Sequence, residues 1–438
     1  MTVIYFDNNA TTRLDPGVAA SMHQIALQGL ANPASQHRAG REARKILEVS
    51  RDGLAGHLGC RTDGMQADQI FFTSGGTESN NLAILGLSQP VAISQSASDS
   101  QSHQVLSPSK LPATIVSTIE HPSVLGAVER LARNGTPVRY CPVLQNGEIN
   151  LDAFAQLISR HDKAIETADK ANQIALVSVM LANNETGVIQ PIADIVALCK
   201  PRGILVHTDA VQVLGKLPLS FKDLDVDAMT VTAHKVHGPP GIGALVTRAG
   251  LRVEPQLFGG FQQLAIRPGT ECVALAAGFE HAVAIAVKAV AERSSGMTAK
   301  RQLLEAMLLK SPTNPTILGR EVDRLPHTTS IAYQGLDRQA LQMALDYAGV
   351  ACSTGSACAS GSGQPSHVLR AMGIDERLVR GAIRFSLSHE TTREEVEWAA
   401  AKINSVVETL AAKSSRSNLS AENLSAENFS ADQLEKTV

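Results

Sequence analysis

Ala228-Met229-Thr230-Val231-Thr232-Ala233-His234-Lys235-Val236-His237-Gly238-Pro239 is a β-branched run that ends in a histidine, one lysine and a glycine-proline turn. Its length and its flanking turn signals predict a buried strand from Ala228 to Thr232. A lysine at the end of such a strand loses its proton more readily than a surface lysine, because burial disfavours the charged form. It can then form a Schiff base with an aldehyde. This segment alone leaves that reading and an ordinary strand-end lysine equally open, so its surroundings must decide.

Outward from this stretch, the same pattern recurs. Ile204 to Thr208 empties into Asp209-Ala210-Val211-Gln212, and the apolar run Ile174 to Met180 empties into Asn183-Asn184-Glu185-Thr186-Gly187. Ala113 to Thr118 leads to Glu120-His121-Pro122-Ser123. Ile70 to Thr73 leads to Ser74-Gly75-Gly76-Thr77-Glu78-Ser79-Asn80-Asn81 and an apolar helix, Leu82 to Leu87. A strand, a glycine pair, a hydroxyl residue and a helix together point free backbone N–H groups at an anion. The lysine and spacing of a P-loop are missing. Helical patterns at Ala39 to His57 and Val124 to Asn134, and a strand-like Pro137 to Tyr140, continue the alternation. Strands alternating with helices predict an α/β fold with a mostly parallel sheet flanked by helices, its ligand beyond the carboxyl ends of the strands. Read singly, each polar loop is a surface turn and His121 a satisfied structural histidine. Five such segments along one sheet edge read as one site.

The pattern changes near Glu254. We expect an N-terminal arm (1–15) that joins a smaller domain, a large cofactor-binding domain (16–257) and a smaller α+β domain (258–411). The smaller domain holds a long helix from Glu271 to about Arg293, a strand at Ser330 to Tyr333, a helix from Arg338 to Ala348, the strand Ile383 to Leu387 and a last helix from Thr392 to Leu410. Residues 88–113, rich in Ser and Gln, read as a surface insertion, and His161 to Gln173 as a second polar excursion. The tail 412–438 carries Leu-Ser-Ala-Glu-Asn twice in tandem from Leu419 and reads as disordered.

Composition excludes several function classes. Of 438 residues, 44% are hydrophobic and 18% charged, which describes a core-forming globular chain. A formal net charge of −3 and only 3% aromatic residues argue against nucleic acid as a partner. No apolar run is long enough for a membrane span, and the opening residues do not make a signal peptide. Six cysteines (Cys60, Cys141, Cys199, Cys272, Cys352, Cys358) in so long a chain do not make a disulfide framework, so we expect a reducing cytoplasm. No metal site is expected.

The parts at the sheet edge are those a pyridoxal 5'-phosphate site requires. Gly76, Thr77 and Thr232, with His234 nearby, suit the phosphate, and Lys235 suits the aldehyde. Asp209 suits the pyridine nitrogen, whose protonation makes the ring an electron sink. Gln212 or Asn184 can reach the phenolic oxygen, and His121 can stack on the ring.

The chain also resembles the cysteine desulfurases of the NifS/IscS type, in the class V aminotransferase group. The residues that carry the resemblance are Asp7-Asn8-Asn9-Ala10-Thr11-Thr12, Asn32-Pro33-Ala34-Ser35, Thr73 to Ser79, Glu120-His121, Asn183 to Gly187, Asp209 to Gln212, His234-Lys235, Arg267-Pro268-Gly269-Thr270, Gly355-Ser356-Ala357-Cys358 and Ile383-Arg384-Phe385-Ser386. The resemblance implies a fold type I pyridoxal-phosphate enzyme that turns L-cysteine into L-alanine and a persulfide on Cys358. Lys235 would carry the cofactor and move the Cα proton, His121 would serve the sulfur groups, and Asn184 and Arg384 would bind substrate. Thr270 would reach the phosphate of a neighbouring subunit, which implies a homodimer. The sulfur would pass to an acceptor such as an iron–sulfur scaffold protein.

Phe261-Gln262-Gln263-Leu264-Ala265 departs from the family's pattern after Gly259-Gly260, in a loop that shapes the dimer-side wall of the pocket. Cys352 has no matching role and reads as a core thiol, and His237 reads as structural. Two rival readings remain at this point. One is a selenocysteine lyase or another class V transaminase or lyase, which would not need Cys358. The other is a non-enzymatic sulfur-transfer or scaffold protein that keeps the fold.

Overall fold

The computed structural model describes residues 3–29, 31–88, 111–167, 169, 172–355 and 364–434, the last helix by its backbone alone beyond Lys413. Twelve strands are present among them. They are β1 (Ile4–Tyr5), β2 (Gln69–Thr73), β3 (Ala113–Ser117), β4 (Val138–Cys141), β5 (Ile174–Ser178) and β6 (Leu205–Asp209). After these come β7 (Ala228–Thr232), β8 (Gly243–Thr247), β9 (Thr316–Leu318), β10 (Thr328–Ala332), β11 (Val350–Ala351) and β12 (Ala382–Ser386).

Seven strands form the main sheet in the order β2-β8-β7-β6-β5-β3-β4. Only β8 runs against the others: it is antiparallel to both neighbours, while β7, β6, β5, β3 and β4 pair in parallel. Successive side chains of a strand face opposite sides of the sheet, so a strand covered on both sides must be apolar throughout. Ile115, Val177 and Val246 pack into the core on one face, and their neighbours Val116, Leu176 and Leu245 into the core on the other.

The second face is closed by α3 (Gly76–Leu87) and α4 (Pro122–Arg133). Against the first lie α1 (Pro16–Leu27), α2 (Arg38–His57), α5 (Leu151–Glu166), α6 (Ile192–Cys199), the short α7 (Phe221–Leu224) and α8 (Val273–Lys288). A separate core gathers α9 (Val290–Leu308), α10 (Arg338–Tyr347), α13 (Arg393–Leu434), the antiparallel sheet β12-β10-β9 and the parallel pair β1-β11. The short helices α11 (His367–Ala371) and α12 (Glu376–Val379) fill a smaller cluster beside it. Ile4 and Phe6 of the N-terminal arm are buried in the second core.

The structure departs from the sequence reading in three places. The single long helix expected from Glu271 is two helices, α8 and α9, bent by 72°. Of the two, α8 packs into the first core and α9 into the second. The polar excursion expected at His161 begins inside α5, where His161 is buried and its Nδ1 accepts from the Ile174 N–H at 2.8 Å. Finally, α13 continues as helix to Leu434, where disorder is expected. That stretch contains neither glycine nor proline to break the helix, although serine is its commonest residue. The insertion expected at 88–113 falls mostly outside the described residues.

The main sheet and the glycine turn of β2 meet where no side chain fits. A Cβ on Gly243 would stand 2.7 Å from the carbonyl carbon of Gly75 and 2.9 Å from the oxygen of Val231. Both obstacles are backbone, so Gly243→Ala is expected to cost about 3 kcal/mol, the upper end for overpacking. A lowered denaturation midpoint at constant m-value is the measurement that checks this.

Candidate functional site

Five strand ends open on one cavity of about 230 Å³. From β2 come Gly76 and Thr77, from β3 His121, from β5 Asn184, from β6 Asp209 and Gln212, and from β7 Thr232, His234 and Lys235. Arg384 of β12 closes it from the second core. The structure therefore brings together every residue singled out from the sequence except two. Thr270 is exposed and lies outside the cavity of its own chain. Cys358 lies outside the described residues.

At one end, α3 begins after Gly75, which offers no capping side chain. The first N–H groups of the helix have no intrahelical partner, and the helix dipole favours negative charge there. Thr232 stands close by, with its hydroxyl donating to the Ile242 carbonyl at 3.1 Å. His234 is kept neutral: burial, then the charges of Lys235 and Lys216, push it down to about 4.

At the other end, Asp209 is buried, and its carboxylate accepts from Asn80 Nδ2 at 2.8 Å and from the Val211 N–H at 3.0 Å. Asn80 also donates to Ser123 Oγ at 2.8 Å, and that hydroxyl lies 2.7 Å from His121 Nδ1. Burial lowers the pKa of His121, the Asp209 charge opposes this, and Lys235 and His367 add to it.

Lys235 lies between the two ends. Its Nζ donates to the carbonyls of Asn9 and Ala10 in the N-terminal arm. The arm is held there by Thr12, whose N–H and hydroxyl both reach the His234 carbonyl. His237, at φ 62°, donates its own N–H to the Thr12 hydroxyl at 2.7 Å and sits behind the cavity. Arg384 is 2% exposed and already engaged, with Nη2 2.6 Å from Asp7 and Nη1 donating to the Asn184 carbonyl at 3.1 Å.

Residues the sequence reading left without a role also line the cavity, among them Asn9, Ala10, Asn80, Ser123 and Met180. Asn80 is four residues after Gly76, on the same face of α3, so the helical repeat could have found it. Nothing in the sequence signals that the carbonyls of Asn9 and Ala10 belong here.

The divergent loop does not line the cavity. Gln263 instead closes the free edge of β2: its side chain accepts from the Phe72 N–H at 2.7 Å and donates to the Phe72 carbonyl at 2.9 Å. Near Cys358, the described flanks of its loop meet one buried carboxyl. Ser366 Oγ donates to Glu185 Oε2 at 2.5 Å, and a Cβ on Gly355 would stand 2.6 Å from that oxygen. Burial pushes the thiols of Cys60, Cys141 and Cys199 up to about 12, and that of Cys352 upward too, so these thiols stay protonated and unreactive near neutral pH.

Residues 4–398 match the family described as Aminotransferase class-V. The chain belongs to this family. A cysteine desulfurase of Bradyrhizobium diazoefficiens is 37% identical over 411 residues, covering 94% of this chain and 96% of that protein. The cysteine desulfurase NifS of Azotobacter vinelandii is 35% identical over 410 residues, or 94% of each. The solved structure of a NifS-like protein from Rickettsia africae superposes with a TM-score of 0.78 at 30% identity, covering 93% of this chain and 99% of that one. Class V aminotransferases and the desulfurases among them are pyridoxal-phosphate enzymes, and the mostly parallel sheet with flanking helices is the fold these relatives share.

One buried acid beside the site titrates unusually. Glu120 accepts from Ser117 Oγ and from the Met180 N–H, and burial, against those hydrogen bonds, pushes it up to about 8. Unfolded, it titrates in the ordinary carboxyl range. Between these two values the folded chain holds a proton that the unfolded chain has released, so this group's contribution to stability is lost as pH rises through about 8. Glu120→Gln is therefore expected to gain thermal stability relative to the parent as pH is raised from 5 to 8.5. Parallel melting curves across that range would contradict it.

Proposed function

We propose that the chain is a cysteine desulfurase that holds pyridoxal 5'-phosphate on Lys235, releases L-alanine from L-cysteine and keeps the sulfur as a persulfide on Cys358. The observation that carries the reading is the convergence of Lys235, Asp209, His121 and the uncapped start of α3 on a single cavity. The residues present fit the cofactor. Gly76, Thr77, Thr232 and His234 suit its phosphate, Lys235 its aldehyde and Asp209 its pyridine nitrogen. Three buried polar atoms of the cavity-lining residues, Asn80 Oδ1, Gln212 Oε1 and Arg384 Nε, have no protein partner.

When bound, pyridoxal 5'-phosphate supplies the electron sink for negative charge at the substrate Cα. Arg384 and Asn184 orient the substrate, the guanidinium by its carboxylate. Lys235 Nζ moves the proton at Cα. The Cys358 thiolate attacks the substrate sulfur: the sulfur–sulfur bond forms, the carbon–sulfur bond breaks, and the carbon fragment takes up the proton and leaves as alanine. His121 serves the sulfur side of the cavity.

The persulfide then passes to an acceptor such as an iron–sulfur scaffold protein. We also propose a homodimer. Thr270 is exposed and lies outside its own cavity, and the stretch before it exposes Phe258 and Phe261 at 87% and 93%, with Leu257 and Leu264 beside them. A surface this apolar favours a partner. No single helix among the described residues is long and apolar enough to cross a membrane. The described cysteines are unpaired, which supports a reducing cytoplasm.

After exposure to L-cysteine, mass spectrometry is expected to find one added sulfur atom, confined to Cys358. Cys358→Ala should lose alanine production and keep the cofactor's visible absorbance. Undiminished alanine and sulfide from that variant would favour a lyase that needs no thiol, and would sink the assignment.

A further inference from the structure

The ring of His121 has two nitrogens, and the structure treats them differently. Asn80 is 1% exposed, and both hydrogens of its amide are spent, one on Asp209 Oδ2 and one on Ser123 Oγ, each at 2.8 Å. Reversing the amide would set its oxygen against the Asp209 carboxylate, so the orientation is forced. Its cost is visible: Asn80 Oδ1 is buried without a partner. Leaving such an acceptor unpaired is costly, so the fold gives up stability to keep both amide hydrogens directed this way.

Ser123 Oγ accepts from Asn80 with one lone pair, and its own proton is available to His121 Nδ1, 2.7 Å away. The Ser123 backbone N–H points at the same nitrogen at 3.2 Å, and an N–H group can only donate. Two donors therefore converge on Nδ1, which must carry a lone pair.

We propose that Asn80 and Ser123 are positioning residues that lock His121 as the neutral, Nε2-protonated imidazole, so that it meets the substrate as a hydrogen-bond donor and not as a general base. A base acting through Nε2 needs the opposite tautomer, whose Nδ1–H would collide with the Ser123 N–H. The charged groups that act on the ring are Asp209, which favours an imidazolium, and Lys235 and His367, which oppose it. Burial adds to the opposition. A neutral imidazole that donates a hydrogen bond stabilises negative charge without exchanging a proton, here the thiolate or persulfide charge on sulfur before and after its transfer, while the electron pair of the broken carbon–sulfur bond goes to carbon. The catalytic consequence rests on the desulfurase reading, but the tautomer itself does not.

The test is nitrogen-15 NMR of histidine-labelled holoenzyme, with His121 identified by the signals that vanish in His121→Gln. Unprotonated Nδ1 and protonated Nε2, unchanged from pH 6 to 8.5, are expected. A proton on Nδ1, or titration within that range, overturns the proposal. In Ser123→Ala and in Asn80→Ala, where the backbone N–H of residue 123 is left to hold Nδ1 with a weakened relay, a minor Nδ1-protonated population is expected to appear, with kcat about tenfold lower and KM little changed, and Ser123→Thr should reproduce the parent's spectrum and kcat. Unaltered spectra in both alanine variants overturn the role of the relay. Should the parent enzyme make no alanine from cysteine, the desulfurase reading falls, while the NMR arm still decides the tautomer.

Discussion

The site depends on one contact made across about half of the chain's length: the Lys235 amine is held by the carbonyls of Asn9 and Ala10. A buried amine needs hydrogen-bond acceptors to replace water. Here they come from an arm anchored elsewhere, with β1 paired to β11 and Ile4 and Phe6 inside the second core. Asn9 also reaches from that side: its Nδ2 donates to the Asn184 carbonyl at 3.0 Å and to Thr328 Oγ1 at 2.9 Å, and its Oδ1 lies 2.7 Å from His327 Nε2. The arm therefore stitches two separately packed cores together across the cavity. A change that loosens either core reaches Lys235 through this strap.

With the strap in place, the cavity is electrically polarised. The start of α3 offers an uncapped positive helix end, and the opposite wall presents Asp209 with its charge held by Asn80 and Val211. Around them burial disfavours the charged forms of other titratable groups: His234 is pushed down to about 4, Lys216 to about 7 and Glu120 up to about 8. Few mobile charges are left to compete with a bound anion at one end or a protonated ring nitrogen at the other. Fixed, pre-oriented dipoles of this kind stabilise charge without having to reorganise.

How much of this the sequence discloses follows from the range of each interaction. The strand ends were legible because strands of a parallel sheet, covered on both faces, are apolar throughout, so polar residues stand out where the strands stop. Asp209, Lys235, His121 and Gly76 share that signal. The carbonyls of Asn9 and Ala10 carry none, since a backbone oxygen has no residue code. The relay through Asn80 and Ser123 was half legible: both residues lie in stretches already marked as functional, but their pairing is a matter of tertiary geometry. The bend between α8 and α9 escaped because both helices read as one continuous helical pattern. His161 escaped because a buried histidine satisfied by one backbone N–H looks like loop polarity in a composition count.

Arg384 shows where residue type and site part company. The family resemblance implies that Arg384, a lone arginine on a buried strand, grips the substrate carboxylate. In the fold its guanidinium is neutralised by Asp7 at 2.6 Å and steadied by the Asn184 carbonyl, and only Nε is left unpartnered. A bare guanidinium in so dry a position would be costly, and removing one partner of a buried pair typically costs about 3–5 kcal/mol. Asp7 is therefore what allows a cation to wait at the cavity without substrate. An arriving carboxylate must either share the fork with Asp7 or draw it away, and Asp7 belongs to the same arm whose carbonyls hold Lys235. Arg384 and Lys235 are thus tied to one strap, so that under the proposed function a carboxylate engaged at Arg384 would act on the same arm that holds the amine.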